Sequence, residues 1–285
     1  MRVLVFGETG QVARELGAQA ERRGLALTAL GRDLADLADS GACATVVEAT
    51  DAEVVINAAA YTAVDRAETE PDLAHAVNAA APGAMARACA ARALPFLHIS
   101  TDYVFDGSPG RPWREDDPTG PLGVYGASKL AGEVEVAAAG GAHVILRTAW
   151  IFSSQGANFV KTMLRLGAER HRLRVVDDQI GGPTPARDIA SALLDIASAF
   201  RAGRGITGVF HYAGSPSISW AGFARAIFAR SGQGVEVEPI PSSAYPTPAR
   251  RPLNSTLDCG RIAAAYGLAQ PDWGAGVDAV LGDRT

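Results

Sequence analysis

Residues 2–6 form an apolar run that stops at Gly7, the pattern of a strand buried on both faces. A helical stretch follows from residue 11 to about 23, and a second strand is expected at 25–30. A third apolar run, 54–57, ends in Ala58-Ala59-Ala60. Apolar positions at helical spacing then cover about 72–92, followed by a strand at 95–100. A Gly- and Pro-rich loop, 106–123, leads into a helix carrying Tyr125 and a strand at 143–147. Strands that alternate with helices predict a parallel sheet covered by helices on both sides. Such a sheet binds its ligands at the carboxyl ends of its strands.

Beyond Trp150 the alternation loosens. Helices are expected at 158–169, 186–200 and 220–231, strands at 173–176 and 208–212, and a Pro-rich run covers 239–252. The division this predicts is a sheet domain over 1–148, completed by elements near 185–213. A smaller α/β substrate-binding domain is then drawn mainly from 149–285. At 285 residues and 48% hydrophobic content the chain is long enough for this.

Composition removes several classes of function. No apolar run approaches the roughly 18 residues of a membrane span, so no membrane partner is expected. The first residues read as a strand and lack a signal peptide's length and cleavage site. Cys43, Cys89 and Cys259 are odd in number and far apart; they fit neither a disulfide framework nor a zinc site and predict a cytoplasmic location. A net charge of −5 argues against nucleic-acid binding. It leaves room for a small anionic ligand held by local arginines.

The candidate chemistry lies at the predicted strand ends. Gly7-x-x-Gly10-x-x-Ala13 follows the first strand and opens a helix, as in loops that cradle a dinucleotide pyrophosphate against a helix N-terminus. With this loop the fold class becomes a Rossmann-type doubly wound α/β sheet; the bland alternative is an ordinary Gly-rich turn. Arg32, after the second strand, suits a ribose 2′-phosphate and tilts the cofactor toward NADPH, with NADH open because Asp33 and Asp36 are close by. The small residues ending the third strand leave space beside the sheet, or simply fill a core.

Tyr125 and Lys129 are four residues apart, so a helix presents phenol and ammonium on one face. A phenol has an ordinary pKa of about 10. A nearby cation is expected to lower it and a hydroxyl such as Thr101 to bond the reacting oxygen, which equips the pair to protonate a carbonyl as a hydride arrives. A bare Tyr-x-x-x-Lys also occurs as a solvated surface pair, and Ser100-Thr101-Asp102 as a plain turn. No Gly-x-Ser-x-Gly supports a hydrolase. The run from Tyr245 to Ser255 holds Arg250 and Arg251 between prolines, a fork suited to a diphosphate or an ordinary surface loop. Trp150 either closes over a sugar ring or packs in the core.

Taken together, these residues resemble the dTDP-4-dehydrorhamnose reductases, a group of the extended short-chain dehydrogenase/reductase family, essentially end to end. The resemblance is carried by Phe6-Gly-Glu-Thr-Gly-Gln-Val12, Asn57-Ala-Ala-Ala-Tyr-Thr-Ala-Val-Asp65, Ser100-Thr-Asp-Tyr-Val-Phe105 and Tyr125-Gly-Ala-Ser-Lys129. It continues in Arg147-Thr-Ala-Trp150, Asn158-Phe-Val-Lys-Thr-Met163, Asp177-Asp-Gln-Ile-Gly181 and the arginine loop. It implies NAD(P)H-dependent reduction of the 4-keto group of dTDP-4-dehydro-L-rhamnose to dTDP-L-rhamnose, with Tyr125 as proton donor, Lys129 lowering its pKa and holding the nicotinamide ribose, and Thr101 on the keto oxygen. The positions it matches to the cofactor are Gly10, Gln11, Val12, Ala60, Tyr61 and Thr62, and the expected cofactor-lining set is completed by Gly7, Arg32, Asp36, Leu37, Tyr125 and Lys129. The substrate set is Thr101, Asp102, Tyr125, Trp150, Arg250 and Arg251. Ala13 replaces the usual glycine. Some members dimerise through magnesium; Glu15 matches one ligand position, but Arg187 stands where a second acid belongs. A metal-free monomer or weak homodimer, active after chelation, is therefore expected. The open alternatives are another dTDP-4-keto-6-deoxysugar as substrate, or a non-catalytic NADP-binding subunit like that of methionine adenosyltransferase.

Overall fold

The structure, a computed structural model, describes residues 1–108 and 110–283; Pro109 of the Gly/Pro-rich loop and residues 284–285 lie outside it. The alternation expected from the sequence is present. β1 (Arg2–Phe6), α1 (Gln11–Arg22), β2 (Ala26–Leu30), α2 (Ser40–Ala49) and β3 (Val54–Asn57) come first. The short α3 (Val64–Ala67), then α4 (Pro71–His75), α5 (Ala81–Ala91), β4 (Phe96–Thr101), α6 (Val124–Ala138) and β5 (His143–Thr148) follow. The second half contains β6 (Ile151–Phe152), α7 (Phe159–Glu169), β7 (Arg172–Val176), β8 (Ile180–Gly181), β9 (Thr184–Pro185), α8 (Ala186–Arg201) and β10 (Gly208–His211). It ends with β11 (Ile218–Ser219), α9 (Trp220–Ser231), β12 (Glu236–Ile240), β13 (Asn254–Ser255), α10 (Gly260–Tyr266) and α11 (Trp273–Gly282).

Six strands make one parallel sheet in the order β10-β5-β4-β3-β1-β2. Its two faces explain why β1 reads as an unbroken apolar run. Val3 and Val5 enter one core with Leu16, Ile56, Leu146 and Leu193; Leu4 and Phe6 enter the other with Val47, Met85, Phe96 and Ile145. Both faces exclude water, so no polar alternation is left to see. β10 and α8, which come late in the chain, complete this sheet and its cover. A third core gathers Phe152, Val160, Leu164, Phe223, Ile227, Trp273 and Val277 around α7, α9 and α11. No helix among the described residues is long and apolar enough to cross a membrane.

The order of the sheet reverses between β1 and β3, and their paired ends, Phe6 opposite Asn57, open a crevice there. Register aligns the other carboxyl ends on the same edge, with Thr101 of β4 opposite Thr148 of β5. The helix expected at 72–92 is not uniform: α4 and α5 are joined by a π-helical turn, Ala76–Ala80. Pro82 supplies the reason, since its ring has no N–H and crowds the carbonyl four residues back, that of Asn78. α2 escaped the sequence reading. It buries only Cys43 and Val47, too few for a periodic signal, and is capped by Asp39 accepting from the Ala42 amide at 2.9 Å.

Candidate active site

A cleft of about 870 Å³ runs along the carboxyl edge of the sheet from the Gly7 loop to Tyr125. Gly7 sits at φ +112, and a Cβ there would meet the Ala58 backbone at 3.3 Å, so β1 and β3 approach as only glycine allows. α1 begins beside it, with no side chain capping its first turn at Gly10. Those amides face the cleft and suit a pyrophosphate. Gly7, Gly10, Gln11 and Val12 line this end, as do Arg32, Asp36 and Leu37 after β2 and Ala60 and Thr62 after β3. Gln11 is also a strut: its Oε1 accepts from Ser153 at 3.1 Å and Asn158 at 2.9 Å.

Tyr61 is placed differently. Its phenol donates to Glu70 at 2.7 Å and it is not among the residues lining the cleft. Its backbone serves instead: Asn78 accepts from the Tyr61 amide at 2.8 Å and donates to its carbonyl at 3.1 Å. The same Asn78 amide donates to Ser128 of α6 at 3.0 Å, so one buried side chain ties the loop after β3 to the helix of Tyr125. Asn78 carried no signal in the sequence beyond an ordinary helix position. Gly126 and Gly132 let α6 lie directly on the carbonyls of Tyr103 and Asn78, where any Cβ would collide.

Thr101, Asp102, Tyr103, Tyr125 and Lys129 converge on the middle of the cleft. The Thr101 hydroxyl donates to Asp102 Oδ1 at 3.0 Å, and Tyr103 packs edge-on against Tyr125 with ring centres 5.4 Å apart. Burial pushes the Tyr125 phenol up to about 12, against a downward pull from Thr101. Burial brings Lys129 down to about 8, opposed by Glu133. The expectation that the lysine cation depresses the phenol is not met in this arrangement. Lys129 Nζ donates to the Ile99 carbonyl at 2.6 Å and lies 3.3 Å from His98 Nε2. Burial is the dominant influence on both groups at this geometry.

Three buried polar atoms at this edge, Ser100 Oγ, Asp102 Oδ2 and Thr148 Oγ1, have no hydrogen-bond partner, and all three residues line the cleft. An unsatisfied buried group costs about 1–3 kcal/mol. Together with the glycine cradle they fit a ligand rich in hydroxyls and amides. Burial pushes the Asp102 carboxyl up to about 6, against the hydroxyls of Ser255 and Thr101.

Trp150 forms the far wall. It adopts φ +48, a region bulky side chains rarely occupy, and stacks on Trp220 with ring centres 3.4 Å apart. Gly181 provides the space on the other side of the Trp150 ring. Trp220 also lines the cleft and was missed by the sequence reading, because a tryptophan opening a helix gives no local sign of its partner. Arg250 and Arg251 lie outside the cleft lining. Arg251 is engaged by Asp65 at 2.8 Å and by Thr247 and Ala249, whereas Arg250 is exposed and makes no hydrogen bond or ion pair among the described residues. At Glu15, burial raises the carboxyl while Arg22 and Arg187 lower it and Asp283 and Asp188 oppose them. Among the described residues no group of three or more His, Cys, Asp or Glu could hold a metal ion.

The family model described as RmlD substrate binding domain matches residues 1–285 of this chain. The dTDP-4-dehydrorhamnose reductase of Sinorhizobium fredii is 44% identical over 279 residues, covering 96% of this chain and 94% of the relative. Among solved structures, a dTDP-4-dehydrorhamnose reductase of Clostridium acetobutylicum superposes with a TM-score of 0.93 at 34% identity, covering 100% of this chain and 99% of the other. That of Bacillus anthracis, in complex with NADP, gives 0.92 at 32% identity, covering 99% of each.

Proposed function

The chain belongs to the dTDP-4-dehydrorhamnose reductase family, and on that footing we propose that it reduces the 4-keto group of dTDP-4-dehydro-β-L-rhamnose to dTDP-β-L-rhamnose with NADPH. The observation that carries the chemistry is the convergence of Thr101, Asp102 and Tyr125 in the cleft that begins at the Gly7 loop. Reduced nicotinamide, when bound, supplies the hydride. Tyr125 keeps its proton at neutral pH and delivers it to the keto oxygen as negative charge develops there, because an alkoxide is more basic than a phenolate. Thr101 turns its hydroxyl proton from Asp102 to that oxygen, and Asp102 is left to accept from the sugar hydroxyls. Trp150 and Trp220 make an apolar wall that excludes water from the reacting face. Lys129 holds the nicotinamide ribose. A monomer or weak homodimer without bridging magnesium is the assembly that the mixed charges around Glu15 favour.

Purified protein supplied with dTDP-4-keto-6-deoxyhexoses, with and without the upstream epimerase, tests this by loss of NADPH absorbance. Turnover that depends on the epimerase supports the reading. Faster turnover of another keto sugar moves the substrate. NADPH binding without turnover of any of them identifies a non-catalytic subunit.

Arg32 is exposed on the cleft rim after β2, with Glu8 and Asp33 beside Gly31. It is placed to meet a 2′-phosphate, and Arg32→Asp should reverse the preference from NADPH to NADH. Specificity constants for both cofactors measure this; equal values before and after the substitution would assign Arg32 to solvent.

The two loop arginines should separate. Arg250→Ala is expected to weaken dTDP binding by about tenfold, the loss of one charge-assisted bond, and to leave the melting temperature unchanged. Arg251→Ala should lower both, since it also frees the loop from Asp65. Calorimetric titration with dTDP, read beside thermal melts, decides; unchanged affinity in both variants places the diphosphate elsewhere.

A further inference from the structure

His98 lies wholly buried in β4, does not line the cleft, and has no part in the proposed chemistry. Its two ring nitrogens face Asn57 of β3 and Lys129 of α6 at 3.1 and 3.3 Å. Asn57 has only one workable orientation. Its Oδ1 accepts from the Ala59 amide at 3.1 Å, so its Nδ2 is the atom turned to His98 Nδ1, and it donates. The reversed amide would set its N–H donors against the N–H of Ala59 and leave that bond unmade.

The consequence passes along the chain of bonds. His98 Nδ1 must accept, so a neutral imidazole carries its proton on Nε2. That N–H is aimed at Lys129 Nζ. An ammonium has three donors and no lone pair and cannot receive it, whereas an amine can donate to Ile99 and accept from His98 at once.

We propose that His98 is a positioning residue that Asn57 locks as the Nε2–H tautomer, so that it presents a donor to Lys129 and makes the ammonium give way to the uncharged amine at a lower pH than it otherwise would. This rests on the reading of Lys129 as part of a Tyr–Lys reductase site. Burial favours the same form, bringing Lys129 down to about 8 and keeping His98 well below its ordinary range. The opposing charge is Glu133 of the same helix, which Arg147 of β5 holds with both carboxylate oxygens. Tyr125 and Asp102 line the same cleft. The π-helical turn packed on α6 contributes only uncharged Asn78, and Arg87 of α5 is engaged with Glu135 farther along α6.

The sign follows. The reaction needs the lysine cation beside the developing phenolate, so kcat/KM should fall as pH rises through the Lys129 pKa, near 8. His98→Phe removes the donor without adding charge and should move that limb to higher pH. Asn57→Asp keeps the Ala59 bond, accepts from Nδ1–H, turns an acceptor toward Lys129 and should move it further, by one unit or more. A scaffold role alone would lower the rate without moving the limb. Movement in Asn57→Asp but none in His98→Phe would be an effect of added charge, and would overturn the proposal.

NMR of the wild-type protein with ¹⁵N-labelled histidine reads the tautomer directly and needs neither variant nor turnover. Protonation at Nε2 alone is the expected result; a proton on Nδ1, or on both nitrogens, overturns the proposal. If the wild type shows the expected tautomer but no keto-sugar reduction, the functional reading has failed while the hydrogen-bond assignment stands.

Discussion

Tyr125→Phe should abolish most keto-sugar reduction, lowering kcat by about 10²–10⁴-fold, the usual contribution of a general acid, with NADPH affinity nearly unchanged. The substitution removes one oxygen and leaves the ring that packs edge-on against Tyr103. It leaves the bonds of Lys129 to Ile99 and His98, because none of them involves the phenol. It also leaves the Ser128 and Asn78 ties that hold α6 to the loop after β3. The loss should therefore fall on the chemical step. Initial rates with the keto sugar and a fluorescence titration with NADPH give the two numbers. A Phe variant that turns over near the wild-type rate would remove Tyr125 from the role of acid.

Arg147→Met should cost about 3–5 kcal/mol of stability, because it strands a carboxylate that the fold has already taken out of water. The side chains of Arg147 and Glu133 are each 5% exposed and joined by three contacts, from Nε at 2.9 and 3.2 Å and from Nη2 at 2.6 Å. The guanidinium also lies 5.1 Å from the centre of the Phe105 ring. Glu133 is one helical turn beyond Lys129, so loosening it reaches the site through α6. Removing both partners, as Arg147→Met with Glu133→Leu, should recover most of the loss, since an apolar pair carries no desolvation cost. Denaturant unfolding of the two variants measures this. A single variant within about 1 kcal/mol of wild type would mean that water reaches Glu133, and that the pair is not the buried clamp its geometry indicates.

Arg147 also marks the boundary of what could be read in advance. In the sequence it stood beside Trp150 as part of a family-like segment, and nothing local identified Glu133 as its partner. The pairing depends on β5 lying against α6, which brings together two residues 14 positions apart in the chain. Tyr125 and Lys129 were legible because one helix holds both, and helical spacing is a property of the sequence itself. The direction of Lys129 was not legible. Its partners, Ile99 and His98, come from a strand 30 and 31 residues earlier, and burial then sets both protonation states.

The alternating architecture, the Gly7–Gly10 loop at the first strand end and the Tyr–Lys pair were all legible from the chain alone. Each follows from contiguous residues whose backbone preferences and periodicity act locally. Packing, and not the local sequence, turns Tyr61 to Glu70, gives Arg251 to Asp65, backs Trp150 with Trp220 and sets Asn57 against His98. Each of these joins elements or loops whose relative placement follows from packing. A buried polar side chain must take whatever partner the packing brings within reach, and that choice is made across the fold rather than along the chain.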